Sequence, residues 1–323
     1  MTILYWLFPE TRELAFEAID FHGESGNNGS PDYFRRPHYG SGRPELLLES
    51  APEARAVQFA IDNPSLFYIQ FSQEMSLPEQ SLSTGVQRKN VDVFDRDAEI
   101  NKGYYYTKSV RLSCRLATQR SMDAILATAS LCNRSVVDVG CGDGFYTIRF
   151  WDRAQPKSMV GLDPAGHAIA VANTNKENRL VQFLVGDAHQ LPFPNNSFDV
   201  ALVQSILHHD DNPKDVIREA FRVAPEIVIH EPNGNNLGLK VIEKLSRYHR
   251  EHNEKSYTSS QLRQWIEESG GVIAYQRFAG FVPMFCPSVI ARTMKALEPV
   301  VEALPLVNKF GCAVTVIVAR RRT

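Results

Sequence analysis

The 323-residue sequence predicts an α/β fold: a mostly parallel seven-stranded sheet with an antiparallel last strand, behind a small N-terminal cap region. Three observations carry that prediction. Five short apolar runs alternate with helical segments between Ser135 and Glu231. Runs spaced in this way form parallel strands covered by helices on both faces. The first run empties into a turn with three glycines at alternate positions, VVDVGCGDGFYT, Val136 to Thr147. Near the end, two more apolar runs flank a helix-bearing excursion, which suits a last strand that inserts antiparallel.

Taken in order, residues 1–103 read as the cap or accessory region and residues 104–323 as the main domain. In the cap, helical stretches are expected at about Glu10 to Phe21 and Pro52 to Ile61. Between them, His22 to Pro44 is dominated by Gly, Ser, Asn and Pro and reads as a long loop. Ser65 to Met75 alternates enough for a strand. The main domain opens on YYYTK, Tyr104 to Lys108, which either folds over a ligand or packs its rings. A helix from about Lys108 to Leu131 follows, with Val110, Cys114 and Ala117 on one face and Lys108, Arg111 and Arg115 on another.

The five parallel strands are expected at Ser135–Val139, Ser158–Asp163, Val181–Asp187, Phe198–Gln204 and Glu226–Glu231. Helical segments lie near Phe145–Trp151, Gly166–Lys176 and Pro213–Arg222. A helix at Ser259–Gly271, a strand at Val272–Phe278, a helix at about Ser288–Leu304 and a strand at Cys312–Arg321 complete the sheet.

Composition narrows the function. Lys plus Arg (35) nearly balance Asp plus Glu (37), so no global field draws the chain to nucleic acid or an anionic membrane. The cysteines, Cys114, Cys132, Cys141, Cys286 and Cys312, form no CxxC pair. That suggests neither a zinc site nor a disulfide framework, and it fits a reducing, cytoplasmic setting. The apolar start MTILYWLF turns acidic too soon for a signal-peptide core or a membrane span, so it reads as core packing without membrane insertion.

Gly140, Gly142 and Gly144, between a strand and a helix, let the backbone approach a ligand while the helix N-terminus faces it. A P-loop would need Gly-Lys-Ser/Thr where Phe145-Tyr146 stand. A dinucleotide fingerprint would place its third glycine at position 145. The spacing leans away from a nicotinamide cofactor without deciding it, because Asp163, ending the second strand, suits ribose hydroxyls in either case.

DVGCGDG, GLDP, GDAHQLPFPNNSFDVALVQSILHH and REAFRVAPEIVIHEP then follow in this order, each at the end of a successive strand. With these motifs the sequence resembles the class I S-adenosylmethionine-dependent methyltransferases, most closely their small-molecule branch, over about Tyr104 to Arg321. The resemblance implies a Rossmann-like fold, methyl transfer from S-adenosylmethionine and release of S-adenosylhomocysteine. It implies that Asp138 and the backbone of Gly140, Cys141 and Gly142 hold the methionine end, with Gly144 allowing tight helix packing. Asp163, followed by Pro164, would accept from the ribose hydroxyls. Asp187 would take the adenine amine, with the Ala188 backbone beside it, and the Gln204 carbonyl would lie near the methionine amine. Carboxylates suit a cation, a diol and a donor amine. Asp143 reads as a cap of the following helix. The family's Lys-Pro-Gly-Gly turn is replaced by Ala224-Pro225-Glu226, which leaves the register of the fifth strand open.

Methyl transfer is an in-line displacement, so alignment dominates and a base is needed only for a hydroxyl or carbon acid. The candidate bases are His208 and His209 after the fourth strand, and His230 with Glu231 ending the fifth. Downstream, Asn212 and Pro213 read as the cap and first residue of a helix. His249 and His252 have a metal-pair spacing, but Lys and Arg surround them, so they read as a solvated helix face and no metal is expected. QSIL stands where methyltransferases of adenine or protein glutamine carry Asn/Asp-Pro-Pro-Tyr/Phe, which disfavours those acceptors. A small organic acceptor, methylated on oxygen, carbon or nitrogen, is expected, and nucleic acid is not. The rival from another class is a non-catalytic scaffold of the same fold, opposed by acids at all three cofactor positions. A nicotinamide oxidoreductase ranks third.

Overall fold

A computed structural model describes residues 85–245 and 255–322, all within one compact unit, Pro52–Thr323. The cap elements expected before residue 85, together with His249 and His252, lie outside the described residues. Seven strands form one sheet: β1 (Ser135–Val139), β2 (Ser158–Asp163), β3 (Val181–Val185), β4 (Val200–Gln204), β5 (Glu226–Pro232), β6 (Gly271–Ala279) and β7 (Val314–Arg321). Their order is β3-β2-β1-β4-β5-β7-β6. The first five pair in parallel, and β7 runs antiparallel to both of its neighbours.

The central strands are unbroken apolar runs because both of their faces are covered. On one face Val136, Leu202, Val228 and Val318 pack under α3 (Leu112–Thr128), α4 (Phe145–Ala154) and α5 (Gly166–Asn175). On the other, Val139, Val203, Ile229 and Ile317 meet α6 (Pro213–Val223) and α8 (Ser259–Glu268). The replaced turn before β5 leaves that strand in regular register: Val200 lies opposite Glu226 and Gln204 opposite His230.

Several boundaries differ from the sequence reading. The helix expected over Lys108 to Leu131 is α3, which starts only at Leu112; a separate one-turn helix, α2 (Tyr105–Lys108), precedes it, parted by extended backbone at Ser109 and Arg111. Ser113 Oγ and Cys114 Sγ both donate to the Met284 carbonyl (each 2.8 Å), which pins the start of α3. Val110 falls in the break and is exposed; the face of α3 that packs inward carries Cys114, Met122 and Ile125. Strand β3 stops two residues before Asp187. Asn212 takes the cap position of α6, with Pro213 first, but its side chain makes no cap bond.

Three helices were not anticipated: α1 (Gly85–Asn101), α7 (Leu237–Leu245) and α10 (Pro305–Gly311), the last following α9 (Ser288–Ala303). Helix α1 matters for the site. Its Asp95 accepts from the His167 backbone N–H and meets His167 Nδ1 (both 2.7 Å) at the start of α5. Its Phe94 lies edge-on to Tyr104 and to His209, beyond β4. It therefore straps the carboxyl ends of the parallel strands. No helix among the described residues is long and apolar enough to cross a membrane.

Candidate active site

The glycine turn after β1 is closed to side chains by its own geometry. Gly140, Gly142 and Gly144 all have positive φ, a region that L-residues other than glycine visit at a cost. A Cβ on Gly144 would stand 2.8 Å from both Ala172 and Phe183, so this glycine lets α4 sit tightly on its neighbours. The N–H groups of Gly140 and Cys141 donate to the Leu162 carbonyl (2.7 and 3.0 Å), tying the turn to β2. Cys141 itself is buried.

Tyr104 covers this turn: its ring fills the space in front of Gly142, and burial pushes its phenol well up. Asp143 anchors it. Asp143 Oδ2 accepts from the Tyr104 N–H (3.0 Å) and the Thr107 hydroxyl (2.6 Å), while Oδ1 accepts from the N–H of Phe145, the first residue of α4 (3.2 Å). One carboxylate thus caps the helix and holds YYYTK over the turn.

The three acids assigned by resemblance stand at the ends of adjacent strands in different states. Asp138, on β1, is buried; its Oδ2 accepts from Thr147 Oγ1 (2.6 Å), and its Oδ1 has no partner among the described residues. Burial raises it to about 6. Asp163 ends β2 and accepts from the N–H groups of Ala165 and Gly142 (2.9 Å each), one on each oxygen. Burial still pushes it to about 6 against those bonds. Pro164 beside it is half-buried.

Asp187 is different because His189, which the sequence reading left out, is clamped against it. Asp187 Oδ1 accepts from the His189 backbone N–H and meets His189 Nδ1 (both 2.9 Å), and His189 Nε2 reaches Asp210 Oδ1 (3.2 Å). Burial alone would raise Asp187, but these bonds hold it below the usual carboxylate range. The same two carboxylates push His189 up to about 10. Ala188, between them, packs on the core.

On the acceptor side, one expected grouping does not form. His230 and Glu231 are consecutive on β5, so their side chains point to opposite faces of the sheet. Glu231 pairs instead with His208: Oε2 meets His208 Nδ1 at 2.7 Å, and Oε1 accepts from the N–H groups of Ile206 and Leu207 (3.0 and 2.9 Å). Both partners are buried, and burial pushes Glu231 up to about 7. His209 stacks on His208 with ring centroids 3.8 Å apart.

His230 turns to the other face, opposite Gln204, where burial lowers it to about 4 and keeps it neutral near pH 7. Its Nδ1 meets Ser205 Oγ at 3.3 Å. His230 Nε2 and both amide atoms of Gln204 are buried with no partner among the described residues. Ser205, between these groups, has φ 56°, left-handed backbone at a non-glycine residue. Such strain, about 1–3 kcal/mol, collects at functional sites.

Strand order, the antiparallel last strand and the glycine turn together define the class I S-adenosylmethionine-dependent methyltransferase fold. The residues present suit that cofactor: an unpartnered buried carboxylate oxygen at Asp138 for an amine, and a cradle that tolerates only glycine. Residues 137–226 match the family model described as Methyltransferase domain, in keeping with that fold.

Among curated proteins, the chloroplastic 2-methyl-6-phytyl-1,4-hydroquinone methyltransferase of Spinacia oleracea is 36% identical over 108 residues, 33% of this chain and 31% of that one. A tRNA U34 carboxymethyltransferase of Vibrio cholerae is 25% identical over 202 residues, 60% of this chain and 62% of that one. The chain thus spans between about a third and three-fifths of the length of these relatives. The exclusion of nucleic acid drawn from balanced charge finds no support in the second of them.

An S-adenosylmethionine-dependent methyltransferase of Thermotoga maritima, described as a possible histamine N-methyltransferase, superposes with TM-score 0.54 at 17% identity, over 72% of this chain and all of that one. The cyclase SpnF superposes with the same TM-score at 20% identity, over 74% of this chain and 97% of that one. These likenesses concern the fold alone.

Proposed function

We propose that this protein transfers a methyl group from S-adenosylmethionine to a small organic acceptor, on oxygen, carbon or nitrogen, and releases S-adenosylhomocysteine. The observation that carries the reading is the convergence of Asp138, Asp163 and Asp187 with the His208–Glu231 pair at the carboxyl ends of neighbouring strands. Ligands in open α/β sheets bind there. The cofactor supplies a methyl group already activated on a sulfonium.

Asp138 holds the amine end through its unpartnered Oδ1, with Gln204 beside it. Asp163 accepts from the ribose hydroxyls; each of its oxygens has one backbone donor, and a carboxylate oxygen has room for another. Asp187 takes the adenine amine, and His189 orients it by occupying Oδ1. Helix α1 and Tyr104 keep water from the turn.

Glu231 fixes His208 by accepting from Nδ1–H, which leaves Nε2 as the basic nitrogen. When His208 takes the acceptor's proton, the buried carboxylate stabilises the resulting imidazolium, the division of labour of a base and its orienting acid. His230, held neutral, is suited to hydrogen bonding. No disulfide joins Cys114, Cys132, Cys141, Cys286 and Cys312, all among the described residues, which suits a cytoplasmic setting.

The test measures S-adenosylhomocysteine release with panels of hydroquinones, carboxylic acids, amines and tRNA, alongside calorimetric titration of the cofactor. Turnover with a small acceptor that falls in the His208→Ala variant supports the proposal. Turnover on tRNA alone reassigns the acceptor. Heat with NADH and none with S-adenosylmethionine refutes it.

A further inference from the structure

The two helices between β6 and β7 carry an apolar face that nothing in the catalytic reading uses. On α9, Val289, Leu297, Val300 and Leu304 (the residue just past its end) recur at helical spacing and are roughly half to three-quarters exposed. Leu306 and Phe310 continue the stripe on α10, which packs on α9. On α7, which packs on α10, Leu237 and Val241 lie one turn apart and are also exposed. Single exposed apolar residues are ordinary, but a stripe over three contiguous helices marks an interaction surface.

Charge says what it meets. Every acid on these helices is turned inward. Glu298 accepts from the Phe281 N–H (3.0 Å) and pairs with Lys295, and Glu302 accepts from the Gly280 N–H (2.9 Å) and pairs with Arg120. Glu243 of α7 accepts from the Ser256 N–H (2.9 Å) and pairs with Lys240. The other charged residues of the three helices are cations. Arg292 is exposed, Lys295 and Lys240 are about two-fifths exposed, and Lys309 holds its ammonium over the Phe310 ring.

An apolar stripe with a cationic border and no outward acid is the pattern of a helix that lies in the interface of an anionic bilayer. A second copy of the chain fits poorly. A two-fold contact would set Arg292 and Lys295 against a surface equally short of acids. The balanced net charge does not oppose this, because the asymmetry is local.

The face adjoins the acceptor side of the site. Helix α7 follows β5, the strand of His230 and Glu231, and Asn233 Nδ2 at the end of that strand donates to the carbonyls of Lys309 and Cys312 (2.8 and 2.9 Å). We propose that the outward face of α7, α9 and α10 docks this protein on an anionic lipid surface. On the methyltransferase reading, the acceptor is then a lipophilic molecule taken from that surface.

The test is co-sedimentation of the full chain with phosphatidylcholine vesicles, with and without phosphatidylglycerol, at low and raised salt. We expect binding to the anionic vesicles, weaker by about tenfold or more without phosphatidylglycerol or at raised salt. Leu297→Asp with Val300→Asp should reduce it by a further ~10–100-fold. Cofactor affinity and the thermal midpoint should stay unchanged, because both residues face solvent. Arg292→Glu with Lys309→Glu probes the same face without altering its apolar residues and should also abolish binding.

Absence of binding by the wild-type chain overturns the proposal, whatever covers the face. So does binding that neither pair of substitutions reduces, or a dimer that the first pair dissociates. Vesicle binding without cofactor heat would leave the docking surface standing and remove methyl transfer. Cofactor heat without vesicle binding would do the reverse.

Discussion

Asp138→Asn should make the cofactor-free protein slightly more stable and the cofactor weaker, and the structure sets both magnitudes. The wild-type carboxyl is raised by burial from its usual 3.8 to about 6. The folded state therefore prefers it protonated. Its contribution is most favourable below the unfolded pKa and is lost as pH rises through about 6. That gap of about two pH units makes the ionised form destabilising by about 3 kcal/mol at neutral pH and above.

Asparagine removes the charge without changing shape. Against that gain, the bond from Thr147 Oγ1 loses its charge assistance, and a new amide donor enters a buried position. Each of these costs about 1 kcal/mol. The net is a gain of about 1 kcal/mol near pH 8, or an increase of roughly 2–4 °C in Tm for a domain of this size. Near pH 4 the advantage should vanish or reverse. S-adenosylhomocysteine, deprived of a carboxylate partner for its amine, should bind about 10–150-fold more weakly, from a loss of about 1.5–3 kcal/mol. Thermal unfolding across this pH range, together with calorimetric titration, measures both. A variant that is less stable at pH 8, or that keeps wild-type affinity, refutes the assignment of Asp138 as a strained carboxylate awaiting a cation.

Other perturbations test the remaining parts of the site. His208→Ala and Glu231→Gln should each lower turnover about 10²–10⁴-fold, with cofactor affinity holding in His208→Ala, because one removes the base and the other reverses its tautomer. His209→Ala should cost far less, and equal losses at His208 and His209 in a turnover assay would dissolve that distinction. His189→Ala should destabilise most below about pH 6.5, where the wild-type imidazolium is fully formed. The difference should fade as pH rises through about 10; denaturant titrations at several pH values check it. Gly144→Ala should cost about 2–4 kcal/mol of stability, since φ is 73° and its Cβ would crowd Ala172 and Phe183. Chemical denaturation measures that loss.

What could be read in the sequence was what the chain encodes locally. Apolar period and turn chemistry placed all seven strands within about two residues, and the glycine turn and three acids were visible as motifs at their ends. Helix α1 has its own signal in the sequence: Val91, Phe94 and Ala98 recur at helical spacing within a strongly charged stretch. Helix α7 follows Pro232-Asn233-Gly234-Asn235-Asn236, a stretch of helix breakers, and α10 is only seven residues long and begins at Pro305, parted from the end of α9 by Leu304 alone.

The pairings at the site were less accessible because they join residues far apart in the chain. His230 and Glu231 are neighbours in sequence, yet strand alternation sends them to opposite faces. It is the left-handed step at Ser205, which its residue type does not announce, that brings the backbone from Ile206 to His208 back over Glu231. The base then depends on a turn that costs energy to hold, and the four bonds accepted by one buried carboxylate are what hold it. Removing that carboxylate should therefore release the turn as well as the histidine. On this account Glu231 is a positioning residue for the whole segment after β4, and its loss should perturb Ile206, which packs against Gly140, before it perturbs any strand.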